Sequence, residues 1–215
     1  MKSSLLQLLI LTLVTSFAGV AFAAEPSIKL LQPVLNGDGC PAGTATAVLS
    51  PDNDTISILF SAFQLKKAPQ EVMKKTTLRC RIVLPFNLPA GYKLNTYQLD
   101  YRGFLFIEDP LGKFVFRSVP VSFPGSIPAP AKDMAVAGLY DGELNFSQTL
   151  NSNVFTQCGG FSYALFELSI GLYGTNELVG PSGSAIATID SVDGSIPTED
   201  ANGVHLHIGL VPCSR

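Results

Sequence analysis

The chain has 215 residues, 47% hydrophobic and 14% charged, with a formal net charge of −3. That length can bury a sizeable core. The few charges are scattered, without the basic run of a nucleic-acid footprint or the basic amphipathic helix of a membrane-surface protein.

The first segment reads as a targeting signal. "MKSSLLQLLILTLVTSFAGVAFA" carries Lys2, an apolar run and Ala21-Phe22-Ala23. These are the n-region, h-region and A-x-A site of a secretory signal peptide spanning residues 1–23. Residues 24–215 are then expected as a single domain with no membrane span. Its expected location is extracellular, or periplasmic if the source is a Gram-negative bacterium.

Downstream the pattern is β throughout. Near the start, "NGDGCPAG" looks like a phosphate loop but is not one. Gly37, Gly39 and Gly43 miss the G-x-G-x-x-G spacing, and no helix pattern follows. It reads as a tight turn delivering Cys40 to a partner. Strands follow at Thr44–Leu49 and in "DTISILFSAF", where Ile56, Ile58 and Phe60 alternate with serines. "APQEVMKK" (68–75) is the one helical candidate. "TTLRCRIVL" puts Leu78, Cys80, Ile82 and Leu84 on one face and Arg79 and Arg81 on the other, as in an antiparallel sheet with one wet side. Leu94–Ile107 is a long strand in which Gly103 marks a bulge or bend. Lys113–Phe123 and Gly142–Thr149 follow. Between them "PGSIPAPAKDM" (124–134) is a Pro-rich loop, either a crossover between sheets or an exposed binding loop. "YALFELSIGL", Ser184–Ser191 and "GVHLHIGLV" complete about nine strands separated by turn residues, an all-β antiparallel sandwich.

The chain has four cysteines, Cys40, Cys80, Cys158 and Cys213, and no C-x-x-C pair. In an exported protein they read as two disulfides that staple the sandwich. Spacing alone leaves three connectivities. Cys80–Cys158 would join two core strands and Cys40–Cys213 the two ends, so that pairing is expected.

Candidate chemistry is sparse. His205 and His207 are the only histidines and share one face of the last strand. They are the candidate metal ligands, although a stable site needs a third and usually a fourth ligand. Glu199 and Asp200 lie just upstream. No G-x-S-x-G occurs; "GPSGS" around Ser182 is the nearest approach to a hydrolase elbow. Asp100, Glu108, Asp109, Glu143 and Glu167 lie on or near strands, and a glycosidase would need two carboxyls about 5–10 Å apart. The chain has no Trp, although Tyr92, Tyr97, Tyr101 and Tyr163 are available. In "LDYRGFLF", Asp100 and Arg102 share one face and form a candidate binding pair; Tyr101 and Gly103 share the other. "NDT" at Asn53 and "NFS" at Asn145 are N-glycosylation sequons. No cofactor is implied.

Several segments in order resemble a family of secreted proteins known as domain of unknown function 4360. They are "GCPAGTATAVLSPD", Arg79-Cys80-Arg81-Ile82, Tyr101-Arg102-Gly103-Phe104, "TQCGG" at 156–160, and a last strand ending in Cys213. The Pro-rich loop and the histidine-bearing last strand depart from the family pattern. The resemblance implies a small secreted β-rich domain and supplies no catalytic residue. The leading expectation is a non-enzymatic binding or structural module with a protein or glycan partner. The alternatives are a secreted hydrolase using surface carboxylates and a weak metal-binding domain at His205/His207. A deep pocket with convergent carboxylates would favour an enzyme.

Overall fold

A computed structural model describes residues 26–73, 76–124, 131–149, 155–174, 181–189 and 204–214. The expected signal peptide and the pair Glu199/Asp200 lie outside them. The described residues form thirteen strands and no helix. These are β1 (Lys29–Leu30), β2 (Val34–Asn36), β3 (Ala45–Leu49), β4 (Thr55–Phe60), β5 (Gln64–Lys67), β6 (Thr77–Leu88), β7 (Tyr92–Ile107), β8 (Lys113–Ser122), β9 (Lys132–Ala137), β10 (Tyr140–Thr149), β11 (Gly160–Tyr173), β12 (Ala185–Thr188) and β13 (Val204–Pro212).

Pairing is antiparallel throughout. A six-stranded sheet runs β1-β6-β11-β8-β9, with β2 also on β6. A seven-stranded sheet runs β3-β4-β13-β7-β12-β5, with β10 on β7. The nine expected strands correspond to β3, β4, β6, β7, β8, β10, β11, β12 and β13; β1, β2, β5 and β9 are additional. The segment 68–73 is not helical. Glu71 N–H donates to the Ala68 carbonyl in a turn, and Gln70 takes φ 62° there. The Pro-rich segment joins β8 to its hairpin neighbour β9, so it is not a crossover between sheets, and Lys132–Met134 belong to β9.

The core lies between the two sheets and follows the alternation. Ile56, Ile58 and Phe60 of β4 meet Leu78, Ile82 and Leu84 of β6, Phe166 and Leu168 of β11, and Leu206 of β13 in one buried cluster. At about 25 cal/mol per Å² of apolar surface, this burial is the main stabilising term. The best-defined contact between sheets is aromatic. Phe116 of β8 packs 4.4 Å from Tyr101 of β7 and 5.0 Å from Phe146 of β10. The Tyr101 hydroxyl donates to Gln148 Oε1, which also accepts from Ser118. Burial pushes the Tyr101 phenol above its ordinary value, so it stays neutral as a donor.

Two disulfides are present, with a pairing that differs from the expected one. Cys40 is bonded to Cys80, and Cys158 to Cys213. The turn "NGDGC" explains the first. Its backbone lies against β6, where Gly39 N–H donates to the Arg79 carbonyl at 2.9 Å. A Cβ at Gly37 would meet that same oxygen at 2.2 Å. Cys40 is thereby delivered beside Cys80, and both are fully buried. The second disulfide brackets the turn between β6 and β7. Gly159 N–H donates to the Tyr92 carbonyl and Cys213 N–H to the Gly91 carbonyl.

Asp109 organises the approach to β12. Its carboxylate is buried and accepts from the backbone N–H groups of Ser182 (2.7 Å) and Leu111 (2.9 Å). These two bonds hold its carboxyl below the usual carboxylate range. Lys67, also buried, donates to the carbonyls of Ala68, Ser182 and Gly183. Asp109→Asn is expected to cost about 1–2 kcal/mol near neutral pH, because charge-assisted bonds become neutral ones. A depressed carboxyl stabilises above its unfolded pKa of about 3.9, and that contribution is lost as pH falls through the lower folded value. Urea midpoints of wild type and variant should therefore stay apart at neutral pH and converge only below about pH 4.

Candidate functional site

The sequence candidates on β7 and β13 come together on the outer face of the seven-stranded sheet. Antiparallel register sets Val48 of β3, Ser57 of β4, His205 of β13, Asp100 of β7 and Ser147 of β10 in one row across the strands. The next row is Thr55, His207, Gln98 and Thr149. Opposed and diagonal side chains on one sheet face lie within contact distance. His205 Nδ1 lies 3.0 Å from Ser57 Oγ. His207 reaches diagonally and donates from Nε2 to Asp100 Oδ2 at 2.7 Å, while its Nδ1 lies 3.4 Å from Thr55 Oγ1. Gln98 Nε2 donates to both Asp100 oxygens, at 2.8 and 3.0 Å.

Asp100 is thus an acceptor hub. Partial burial would raise its carboxyl. Hydrogen bonds from Ser147, Gln98 and His207, with the His207 charge, outweigh that and hold it below the usual carboxylate range. The hydrogen-bonded pair is only partly covered, with His207 26% and Asp100 24% exposed.

β7 keeps Asp100 and Arg102 outward because of an irregularity lower in the strand. Register shifts between His207 and Ile208 of β13, whose partners are Gln98 and Thr96. Tyr97 is the extra residue of a bulge. Leu94 and Thr96 are buried below it, and Leu99 and Tyr101 above it. Strict alternation through all sixteen residues would have turned one half of the strand inside out.

A groove of about 470 Å³ runs over this face. Its floor carries Ser57, Asp100, Arg102, His205 and His207; its wall is the β3–β4 hairpin, with Val48 and Pro51 beside Ser50, Asp52 and Asp54. The hairpin is fixed by turn chemistry. Asn53 adopts φ 61°, its N–H donates to the Ser50 carbonyl, and Ser50 Oγ accepts from Thr55 N–H. A second depression of about 750 Å³ shares Asp100 and Arg102 and extends to Glu143, Asn145 and Ser147 of β10.

The remaining candidates lie elsewhere. Among the described residues no three His, Cys, Asp or Glu side chains are grouped to hold a metal ion, and all four cysteines are in disulfides. Ser182 belongs to the Asp109 and Lys67 cluster. Glu108 accepts from Ser184 N–H. Glu167 stands opposite Arg81 on the six-stranded sheet. Of the five strand carboxylates, Asp100 and Glu143 share a depression. Sequence reasoning missed Ser57, Gln98, Ser147 and the hairpin wall. Ser57 and Ser147 occupy outward positions that alternation does indicate, whereas Gln98 faces out only because of the bulge, and the adjacency of β4, β13, β7 and β10 carries no local signal.

Residues 26–201 match the family model described as domain of unknown function (DUF4360). A curated relative, "Uncharacterized secreted protein" of Arthroderma benhamiae, is 25% identical over 176 residues, covering 80% of this chain and 69% of that protein. Among solved structures, TmCBM61 in complex with β-1,4-galactotriose is 11% identical, with a TM-score of 0.29 over 84% of this chain and 88% of that one. The enzymatically active domain of bacteriophage CBA120 tailspike protein 4 is 12% identical, with a TM-score of 0.21 over 84% of this chain and 19% of that one. Neither overlap is close enough to carry a functional reading. Among the described residues no helix is long and apolar enough to cross a membrane.

Proposed function

The chain belongs to the DUF4360 family, and from its groove we propose that it is an exported binding module for a carbohydrate. The leader-like residues 1–23 and the secreted relative support export. On this reading residues 24–215 make up one binding domain.

The observation that carries the ligand class is the two-sided groove. One wall sets the exposed Val48 and Pro51 among the polar Ser50, Asp52 and Asp54; the floor is a ladder of donors and acceptors pre-set by Asp100. A pyranose ring has the matching character, with apolar C–H faces and a rim of hydroxyls that each donate and accept. The groove's size falls within the usual range for small-ligand sites, about 300–1,000 Å³.

The test is binding of the purified chain to a panel of immobilised neutral oligosaccharides. Wild type should bind at least one member. Asp100→Ala should weaken that binding about tenfold or more, because losing a charge-assisted hydrogen bond costs about 1.5–3 kcal/mol. His207→Ala should weaken it as well, through the released carboxylate. Glu167→Gln, on the other sheet, should bind as wild type. A wild-type chain that binds no member, or binding unchanged in Asp100→Ala, overturns the reading.

A further inference from the structure

We infer that Asn145 is an N-glycan acceptor and that its glycan stands over the β10 side of the groove face. The sequon Asn145-Phe146-Ser147 lies within β10. A sequon in a strand is compatible with folding only at one parity, since an inward asparagine would carry the sugar into the core. Here Leu144 and Gln148 are buried, Phe146 is stacked 4.8 Å from Tyr101, and Glu143, Asn145 and Ser147 point outward. Asn145 is exposed, and of its strand neighbours β10 pairs with β7 alone. It is the outer edge on that side of the sheet among the described residues. Bulk on such an edge also discourages strand-to-strand association.

The step is transfer from a lipid-linked oligosaccharyl diphosphate. The Asn145 Nδ2 attacks the anomeric carbon, and the N–C bond forms as the C–O bond to diphosphate breaks. The lipid diphosphate leaves with the electron pair, and the amide gives up one proton. The folded chain holds this tripeptide in place, through Phe146 on Tyr101 and Phe116 and through Ser147 on Asp100. Modification therefore precedes the docking of β10. β7, its partner, also needs β13 from the far end of the chain to complete its lower half. Such long-range pairing is slow to form. A mature glycan at Asn145 then rises beside Asp100 and Arg102, covering the depression on that side and leaving the His205 and His207 side open.

The other sequon, at Asn53, sits in the hairpin turn across the groove, where its amide donates to the Pro51 carbonyl. The inference rests on the export part of the proposed function and not on ligand binding. The experiment expresses the full chain in a eukaryotic secretory host and recovers it from the medium. Amidase release of N-glycans in ¹⁸O-water then converts occupied Asn to labelled Asp for peptide mass analysis. Label at Asn145, with loss of one glycan's mass in exported Asn145→Gln, is the expected result. Exported protein without label at Asn145 overturns the inference, whatever Asn53 shows. A chain with a cleaved leader that stays in the cell argues against export instead.

Discussion

Cys40→Ala/Cys80→Ala is expected to lower stability by about 4 kcal/mol, and Cys158→Ala/Cys213→Ala by a similar amount. The bonds close loops of 40 and 55 residues. Loop-closure entropy gives about 4 kcal/mol for either, because the dependence on length is logarithmic. For Cys40–Cys80 a packing loss adds to this, since both residues are fully buried in the core cluster. A domain of this kind has a total stability of about 5–15 kcal/mol. The first double variant should therefore lose much of its denaturant resistance while keeping its β signature at low temperature. Urea midpoints at fixed protein concentration check the magnitude. Non-reducing peptide maps check the pairing, with Cys40 joined to Cys80. Equal midpoints for wild type and the first variant would show that the turn holds β6 without its covalent tie.

That pairing marks where sequence reading stopped. Strands with a strong period of two were legible: β4, β6, β11 and β13 bury the residues that alternation assigns to them. The strands that escaped notice have physical reasons. β1 and β2 have two and three residues, too few to display a period. β5 reads "QLKK", and its second buried side chain is Lys67, whose ammonium ends on three carbonyls. β9 begins directly behind the prolines. The disulfides escaped because connectivity depends on which strands lie side by side. The glycines of "NGDGC" were visible, but not the strand they approach. The site was half legible. Asp100, Arg102, His205 and His207 stood out from two distant segments. That they share one groove follows only from β7 and β13 being neighbours, with the bulge near Tyr97 setting which side of β7 faces out.

Gly103→Ala is expected to cost about 3 kcal/mol, a large effect for one methyl group. Gly103 lies where β7 changes partners. Below it, Tyr101 pairs with Val204 of β13; above it, Phe104 pairs with Thr188 of β12. At the changeover the backbones nearly touch. A Cβ on Gly103 would meet the Thr188 carbonyl oxygen at 2.0 Å and its carbon at 3.1 Å. No rotamer relieves a clash with backbone. Either β12 leaves β7, or β7 bends and carries Arg102 with it. Displacing β12 would expose Ala185, Ala187 and Ile189, all fully buried, and break the Phe104 N–H bond to Thr188 Oγ1. Overpacking of a dense core costs about 1–3 kcal/mol and sometimes more. Gly209→Ala is the matched control. Gly209 is a strand glycine in the same sheet, and a Cβ there meets nothing within 4 Å. Its change should stay within about 0.5 kcal/mol. Hydrogen exchange should localise the Gly103→Ala effect, with faster exchange at Ile186 and Thr188 than in β4 or β6. Equal midpoints for the two alanine variants would mean that the backbones part at little cost. The Tyr-Arg-Gly step would then serve Arg102 rather than the docking of β12.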